Sequence, residues 1–271
     1  MTFELDATRG YLQLGPTRLS YLDWGGAGRP ALLLHGITSS AATLWQLAPA
    51  LKTAGYRPIA LDMPGHGESD ISQDHAIDTL AGLAGAALEA LGLQHVLVLG
   101  HSWGGATALA LASGATHASG RISRTVLVDP ALAMTATWGE ERLPNYLEGL
   151  GEPASTGAVR VRANNPSWAE ADIFWKAIAL EQCRREQVAG FFLPSEEWSL
   201  VERFGQLQAP LLLLVADPVY SVIPPERLNE VRRTLSPALG AVTVLHGTTH
   251  NMFRGPGYSA SLAALLAWLR A

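Results

Sequence analysis

Ser102 stands between two glycines in "LVLGHSWGGATALALA", Leu97 to Ala112, where an apolar run gives way to a helical pattern. On one reading the stretch is a capped turn, because serine caps helices and glycine is at ease in tight bends. On the other, G-x-S-x-G takes the chain through a strained strand-to-helix turn and presents the serine oxygen to a base that can remove its proton. With 27 glycines in 271 residues the string alone does not choose between them, so its partners must. Three other groups also follow apolar runs. They are "LHGITSS" from Leu34, an aspartate (Asp129 in "LVDPAL" or Asp217 in "VADPVYSVIPPE"), and His250 in "VTVLHGTTHN". A hydroxyl, an acid and an imidazole are the parts of nucleophilic acyl transfer.

Those groups need a scaffold, and the chain alternates short apolar runs with stretches of helical period. The runs are 30–36, 56–62, 95–100, 124–130, 209–217 and 241–247, and an early hairpin signal, "YLQLGPTRLSYLDWG", precedes them. Several are apolar at successive positions, as expected of parallel strands covered on both faces. Helical spacing follows Leu44, Leu47 and Leu51, then Ile77, Leu80, Ala84, Leu88 and Leu91, and finally Leu262, Leu265, Leu266 and Leu269,. This predicts an α/β fold with a mostly parallel central sheet flanked by helices, and in such sheets ligands gather beyond the carboxyl ends of the strands. The rhythm breaks between Asp129 and Pro210, a stretch holding four of the eight tryptophans: Trp138, Trp168, Trp175 and Trp198. The expected organisation is a core of residues 1–130 and 209–271 with a mainly helical lid, 131–208, inserted into it.

Composition narrows the function classes. The formal net charge is −5 and charged residues are scattered, with no basic block to follow a phosphate backbone, so nucleic acid is not an expected partner. The single cysteine, Cys183, excludes an intrachain disulfide and multi-cysteine metal sites, and reads as a small buried apolar residue,. No metal-ligand spacing and no run of about eighteen apolar residues occurs. The expectation is therefore a cytoplasmic protein with no membrane partner, no metal and no organic cofactor.

Taken together, "HG" at His35 and Gly36, "LDMPGHGESD" from Leu61 to Asp70, "GHSWGG" from Gly100 to Gly105 and "VTVLHGTTHN" from Val242 to Asn251 resemble the α/β-hydrolase fold family, most closely its lid-bearing esterase-like members. The chain order of nucleophile, acid and histidine is also that family's order. The resemblance implies Ser102 as nucleophile, His250 as base, and the backbone N–H groups of Ile37 and Trp103 as an oxyanion hole. His35, His66, His101 and His246 are the competing histidines. His35 and His66 read as structural, His101 as turned away by the tight bend, and His246 as part of the last strand. Two departures from the family pattern stand out. Thr249 replaces the glycine usual before the catalytic histidine, which is tolerable only if that residue needs no positive φ. Anchoring the acid loop on Val222, Ile223 and Pro224 puts Tyr220 where the acid is expected. Asp217 is then the favoured acid, because it remains on the usual strand, and Asp129 at the end of the preceding long strand is the alternative.

A serine at the elbow, where lid-bearing dehalogenases and epoxide hydrolases carry an aspartate, leaves acyl transfer to water. Small hydrophobic carboxylic esters lead as substrates, with thioesters, lactones, amides and β-diketone carbon–carbon bonds as relatives on the same machinery. The lid tryptophans with Phe174, Phe191 and Phe192 suggest an apolar aromatic pocket, and Arg160, Arg162, Arg184 or Arg185 could meet a carboxylate. The competing class is a small-ligand receptor on the same fold, with slow or no turnover.

Overall fold

The computed structural model describes residues 2–271. Its elements in chain order are β1 (Thr8–Leu14), β2 (Thr17–Asp23), β3 (Arg29–Leu34), α1 (Leu47–Thr53), β4 (Tyr56–Leu61), α2 (Ile77–Ala90), β5 (Val96–His101), α3 (Trp103–Ala112) and β6 (Ile122–Val128). They continue with β7 (Ala133–Met134), α4 (Ala136–Leu147), α5 (Ala154–Asn164), α6 (Glu170–Gln182), α7 (Arg185–Phe192) and β8 (Trp198–Ser199), then β9 (Leu211–Val215), α8 (Pro225–Thr234), β10 (Gly240–Val244) and α9 (Tyr258–Arg270). Eight strands form one sheet in the order β1-β2-β4-β3-β5-β6-β9-β10, antiparallel at the β1–β2–β4 edge and parallel from β4 onward.

The successive apolar residues of the central strands are explained by their alternation. Leu32 and Leu34 of β3, Val96 and Val98 of β5 and Leu211 and Leu213 of β9 pack on one face with α2, α3 and α8. Ala31 and Leu33, Leu97 and Leu99, and Leu212 and Leu214 pack on the other face with α1 and α9. Both faces are therefore dry, and every residue of these runs has a core to enter.

The chain order reverses at β3, which lies between β4 and β5. Loops leaving the carboxyl ends of β3 and β5 diverge there to opposite faces and open a crevice, and the residues after both strands meet in it. Between β6 and β9, four helices (α4 to α7) and the two-stranded β7–β8 sheet replace the usual single crossover. This segment is tied to the loops below it. Trp45 Nε1 donates to Asp172 Oδ1 at 2.9 Å, Ser72 N to Gln187 Oε1 at 3.0 Å, and Arg184 N to the Gly65 carbonyl at 2.8 Å.

Candidate active site

Ser102 joins β5 to α3 with φ 53 and ψ −116, a conformation that L residues rarely adopt,. The turn is held on both sides: Ser102 N donates to the Val128 carbonyl at 3.0 Å, and the Ser102 carbonyl accepts from Ala106 N and Ala131 N. It also needs close backbone approach. A Cβ on Gly100 would drive into the Gly104 carbonyl, and one on Gly104 into the carbonyls of Leu34 and His35. This is why the serine is flanked by glycines.

Asp129 ends β6, also with positive φ, and is fully buried. Its Oδ2 lies 2.6 Å from His250 Nδ1 and accepts from Val222 N at 3.1 Å, while Oδ1 accepts from Ser221 Oγ at 2.6 Å and Ala216 N at 3.2 Å. A buried carboxylate with four donors is fully satisfied as an anion. The Asp129 contact places the His250 proton on Nδ1 and leaves Nε2 free to accept. On the other side of the ring, His101 Nε2–H donates to the His250 carbonyl at 2.9 Å, with the two rings 4.7 Å apart. His101 therefore supports His250 directly, a role its position beside Ser102 did not reveal. No Ser102–His250 hydrogen bond closes in this structure; such contacts commonly tighten only with substrate.

The expectation that Asp217 orients His250 is corrected by this geometry. Asp217 accepts from Val219 N at 3.1 Å and Gly247 N at 2.9 Å, and stands 3.6 Å from His246 Nδ1. The Gly247 N–H, ahead of the other groups, holds its carboxyl below the usual range. Asp217 staples the loop after β9 to the loop after β10, and the chain then folds back so that Ser221 and Val222 reach Asp129. Thr249 is free of positive φ; the left-handed residue of that loop is Gly247, at φ 75. The missing glycine therefore costs nothing.

Ile37 and Ser102 line a common cavity, and Trp103 opens α3 with its side chain buried. Neither backbone N–H, Ile37 or Trp103, donates to another group among the described residues. Behind them, Thr38 is held at φ 60. Its N–H donates to His66 Nε2 at 3.0 Å, and Lys176 Nζ donates to its carbonyl at 2.6 Å. His35 Nδ1–H donates to the Gly36 carbonyl at 2.8 Å and its Nε2 accepts from Met63 N at 2.9 Å; His66 Nδ1–H donates to the Pro64 carbonyl. Both rings are buried scaffolding, and burial pushes each down to about 3. Burial likewise pushes the Cys183 thiol up to about 12, so the cysteine is an inert packing residue.

Two buried neutral imidazoles have a thermodynamic consequence. Each binds no proton in the folded state until about pH 3, but takes one in the unfolded chain near pH 6.5. The stability they contribute is thus complete above about pH 6.5 and is lost as pH falls toward 3. The urea midpoint should drop through that window, and His66→Gln should make the drop shallower. An unchanged slope in the variant would remove His66 from the account.

The cavity at Ser102, about 140 Å³, is walled by Leu132, Trp138, Tyr146, Phe191, Phe192 and Val222, and Arg227 also lines it. Only Trp138 of the four tryptophans in the helical segment lines it. Trp198 backs Phe191, Trp168 lies under the Arg254 guanidinium, and Phe174 and Trp175 pack on each other. Of the four arginines considered for a carboxylate, Arg160 pairs with Glu148 and Glu152, Arg162 with Glu170, and Arg185 donates to the Leu147 carbonyl. Arg184 is exposed. Lys176, Arg254 and Asp172, which carry no sequence motif, are the charged groups that the fold brings to this region.

The model of the alpha/beta hydrolase fold matches residues 30–167. The chain belongs to the alpha/beta hydrolase fold family. Within this family it is 29% identical over 228 residues to the N-formylmaleamate deformylase of Pseudomonas putida, covering 82% of this chain and 83% of that one. It is 36% identical over 144 residues to a non-heme haloperoxidase of Rhodococcus erythropolis, a match covering 52% of each. The chain thus spans about half of that relative's length. An E-2-(acetamidomethylene)succinate hydrolase structure superposes with TM-score 0.83 over 98% of this chain and 100% of that one, at 18% identity. The likeness of that structure concerns the fold. The eight-stranded hydrolase sheet is that of the family, and among the described residues no helix is long and apolar enough to cross a membrane.

Proposed function

We propose that this hydrolase is a serine acyl hydrolase acting on small esters or closely related acyl compounds through a Ser102–His250–Asp129 triad. The observation that carries the reading is the 2.6 Å contact between buried Asp129 and His250 Nδ1, set beside a serine in a strained strand-to-helix turn. In the first half-reaction Ser102 Oγ attacks the carbonyl carbon while His250 Nε2 takes the hydroxyl proton. The oxyanion that forms is met by the unpaired N–H groups of Ile37 and Trp103, each such donor contributing about 10²–10³ in rate. Collapse expels the leaving group, protonated by His250, and water repeats the sequence to release the acid and restore Ser102. Asp129 holds the imidazole tautomer and stabilises the imidazolium.

The helical segment between β6 and β9 acts as the lid of this site, supplying Trp138, Tyr146, Phe191 and Phe192 to the cavity. Its modest volume favours short acyl groups. The likeness to an N-formylmaleamate deformylase puts N-acyl compounds beside esters as substrates.

A fluorophosphonate probe should label Ser102 and abolish turnover of p-nitrophenyl esters. Across an acyl series kcat/KM should rise from acetate toward butyrate, by up to about fourfold per methylene, since a buried methylene contributes about 0.8 kcal/mol. It should fall again by octanoate. A clear optimum at acetate would count against the apolar cavity as the acyl site, and labelling without turnover of any ester or amide would favour the receptor.

A further inference from the structure

A cation on the helical segment forms no ion pair among the described residues. Lys176 on α6 donates from Nζ to the Thr38 carbonyl at 2.6 Å and to Thr38 Oγ1 at 2.8 Å. Its third N–H has no acceptor, and no carboxylate pairs with it among the described residues. Burial, with Arg254 adding to it, pushes the ammonium down to about 7. Arg254 closes no ion pair among the described residues, but it feels the charge of the buried Asp172 carboxylate. It donates to Ser39 Oγ at 3.3 Å and stacks on Trp168, and its Nη1 has no partner. Two cations therefore back Thr38 and Ser39, the residues that follow Ile37, whereas Arg160, Arg162 and Arg227 are paired with carboxylates. The buried Asp172 carboxylate offsets the charge of Arg254, which leaves Lys176 as the cation without a carboxylate, although holding a backbone carbonyl needs only a neutral donor,.

Lys176 lines a cavity of about 300 Å³ together with Thr38, Tyr146 and Asn165. Glu148 also borders it, but is paired with Arg160. Tyr146 lines the Ser102 cavity as well, and Ile37 of that cavity is the chain neighbour of Thr38. The two spaces share this wall.

We propose that Lys176 binds a carboxylate at the far end of the acyl group, making the preferred substrates half-esters or half-amides of short dicarboxylic acids. The proposal rests on Ser102 being the nucleophile. A charge-assisted hydrogen bond in a partly desolvated site is worth about tenfold or more in selectivity.

The test compares monomethyl glutarate with methyl pentanoate by proton release. Wild type should favour the anion by about tenfold or more in kcat/KM, Lys176→Met should bring the ratio to about one or below, and Lys176→Arg should retain part of the preference. If Lys176 only braces Thr38, the variant slows both esters equally and leaves the ratio intact, which overturns the proposal. So does collapse of the ratio in Arg227→Met with Lys176→Met unaffected, or a wild-type preference for the neutral ester. If no ester turns over, the Ser102 reading fails separately, and calorimetry with glutarate decides the carboxylate site. Binding by wild type that weakens about tenfold or more in Lys176→Met, in protein of unchanged circular dichroism, sustains it; no binding, or equal binding, ends it.

Discussion

Ser102→Ala should lower kcat for p-nitrophenyl butyrate by about a millionfold, the scale at which loss of a triad nucleophile is felt. The fold should survive the change. The Ser102 hydroxyl makes no hydrogen bond to another protein group among the described residues, and the turn is carried by the backbone bonds to Val128, Ala106 and Ala131. Alanine can occupy the same backbone conformation at a strain similar to that of serine. Thermal unfolding should therefore move by only a few degrees while fluorophosphonate labelling disappears. Retention of more than a tenth of wild-type kcat would show that another group attacks the substrate.

The second large effect separates the two aspartates. Asp129→Asn should cut kcat by about 10⁴ with KM little changed, because an amide in place of the carboxylate no longer holds the His250 tautomer or stabilises its cation. Four donors converge on Asp129, and an amide NH₂ cannot accept from those on its side, so a lower melting temperature should accompany the loss. Asp217→Asn keeps one carbonyl oxygen for a loop N–H and touches His246 rather than His250. Its kcat should stay within about threefold of wild type. The reverse pattern, with Asp217→Asn inactive and Asp129→Asn active, would return the acid to the strand favoured by chain position.

Much of this architecture is legible locally. Apolar runs mark β3, β4, β5, β6, β9 and β10 because a strand covered on both faces has no polar side to show, and that property is written residue by residue. The elbow at Ser102 is legible for a similar reason. The close backbone approach it needs is made by glycines at 100 and 104, two residues to either side of the serine they serve. Even the departure at Thr249 is a local matter, since the positive φ moves two residues earlier to Gly247.

The acid was not decidable in this way. Asp129 and Asp217 end neighbouring parallel strands, β6 and β9, so chain position offers both to the same end of the sheet. What separates them is the path of residues 217–222. That segment spends Asp217 on its own turn and on Gly247, and brings Ser221 and Val222 back over β6 to fix Asp129 against a histidine 121 positions away. Lys176 was hidden for the same reason. It carries no motif, and only the descent of α6 onto the loop after β3 puts its ammonium against Thr38, 138 positions earlier. By itself the sequence determined the sheet and singled out Ser102 and His250 as candidates, all through short-range pattern. Tertiary structure alone decided which carboxylate holds that histidine and which cation stands without a partner, because both depend on where long loops and distant helices come to rest, and nothing in the neighbouring residues encodes that.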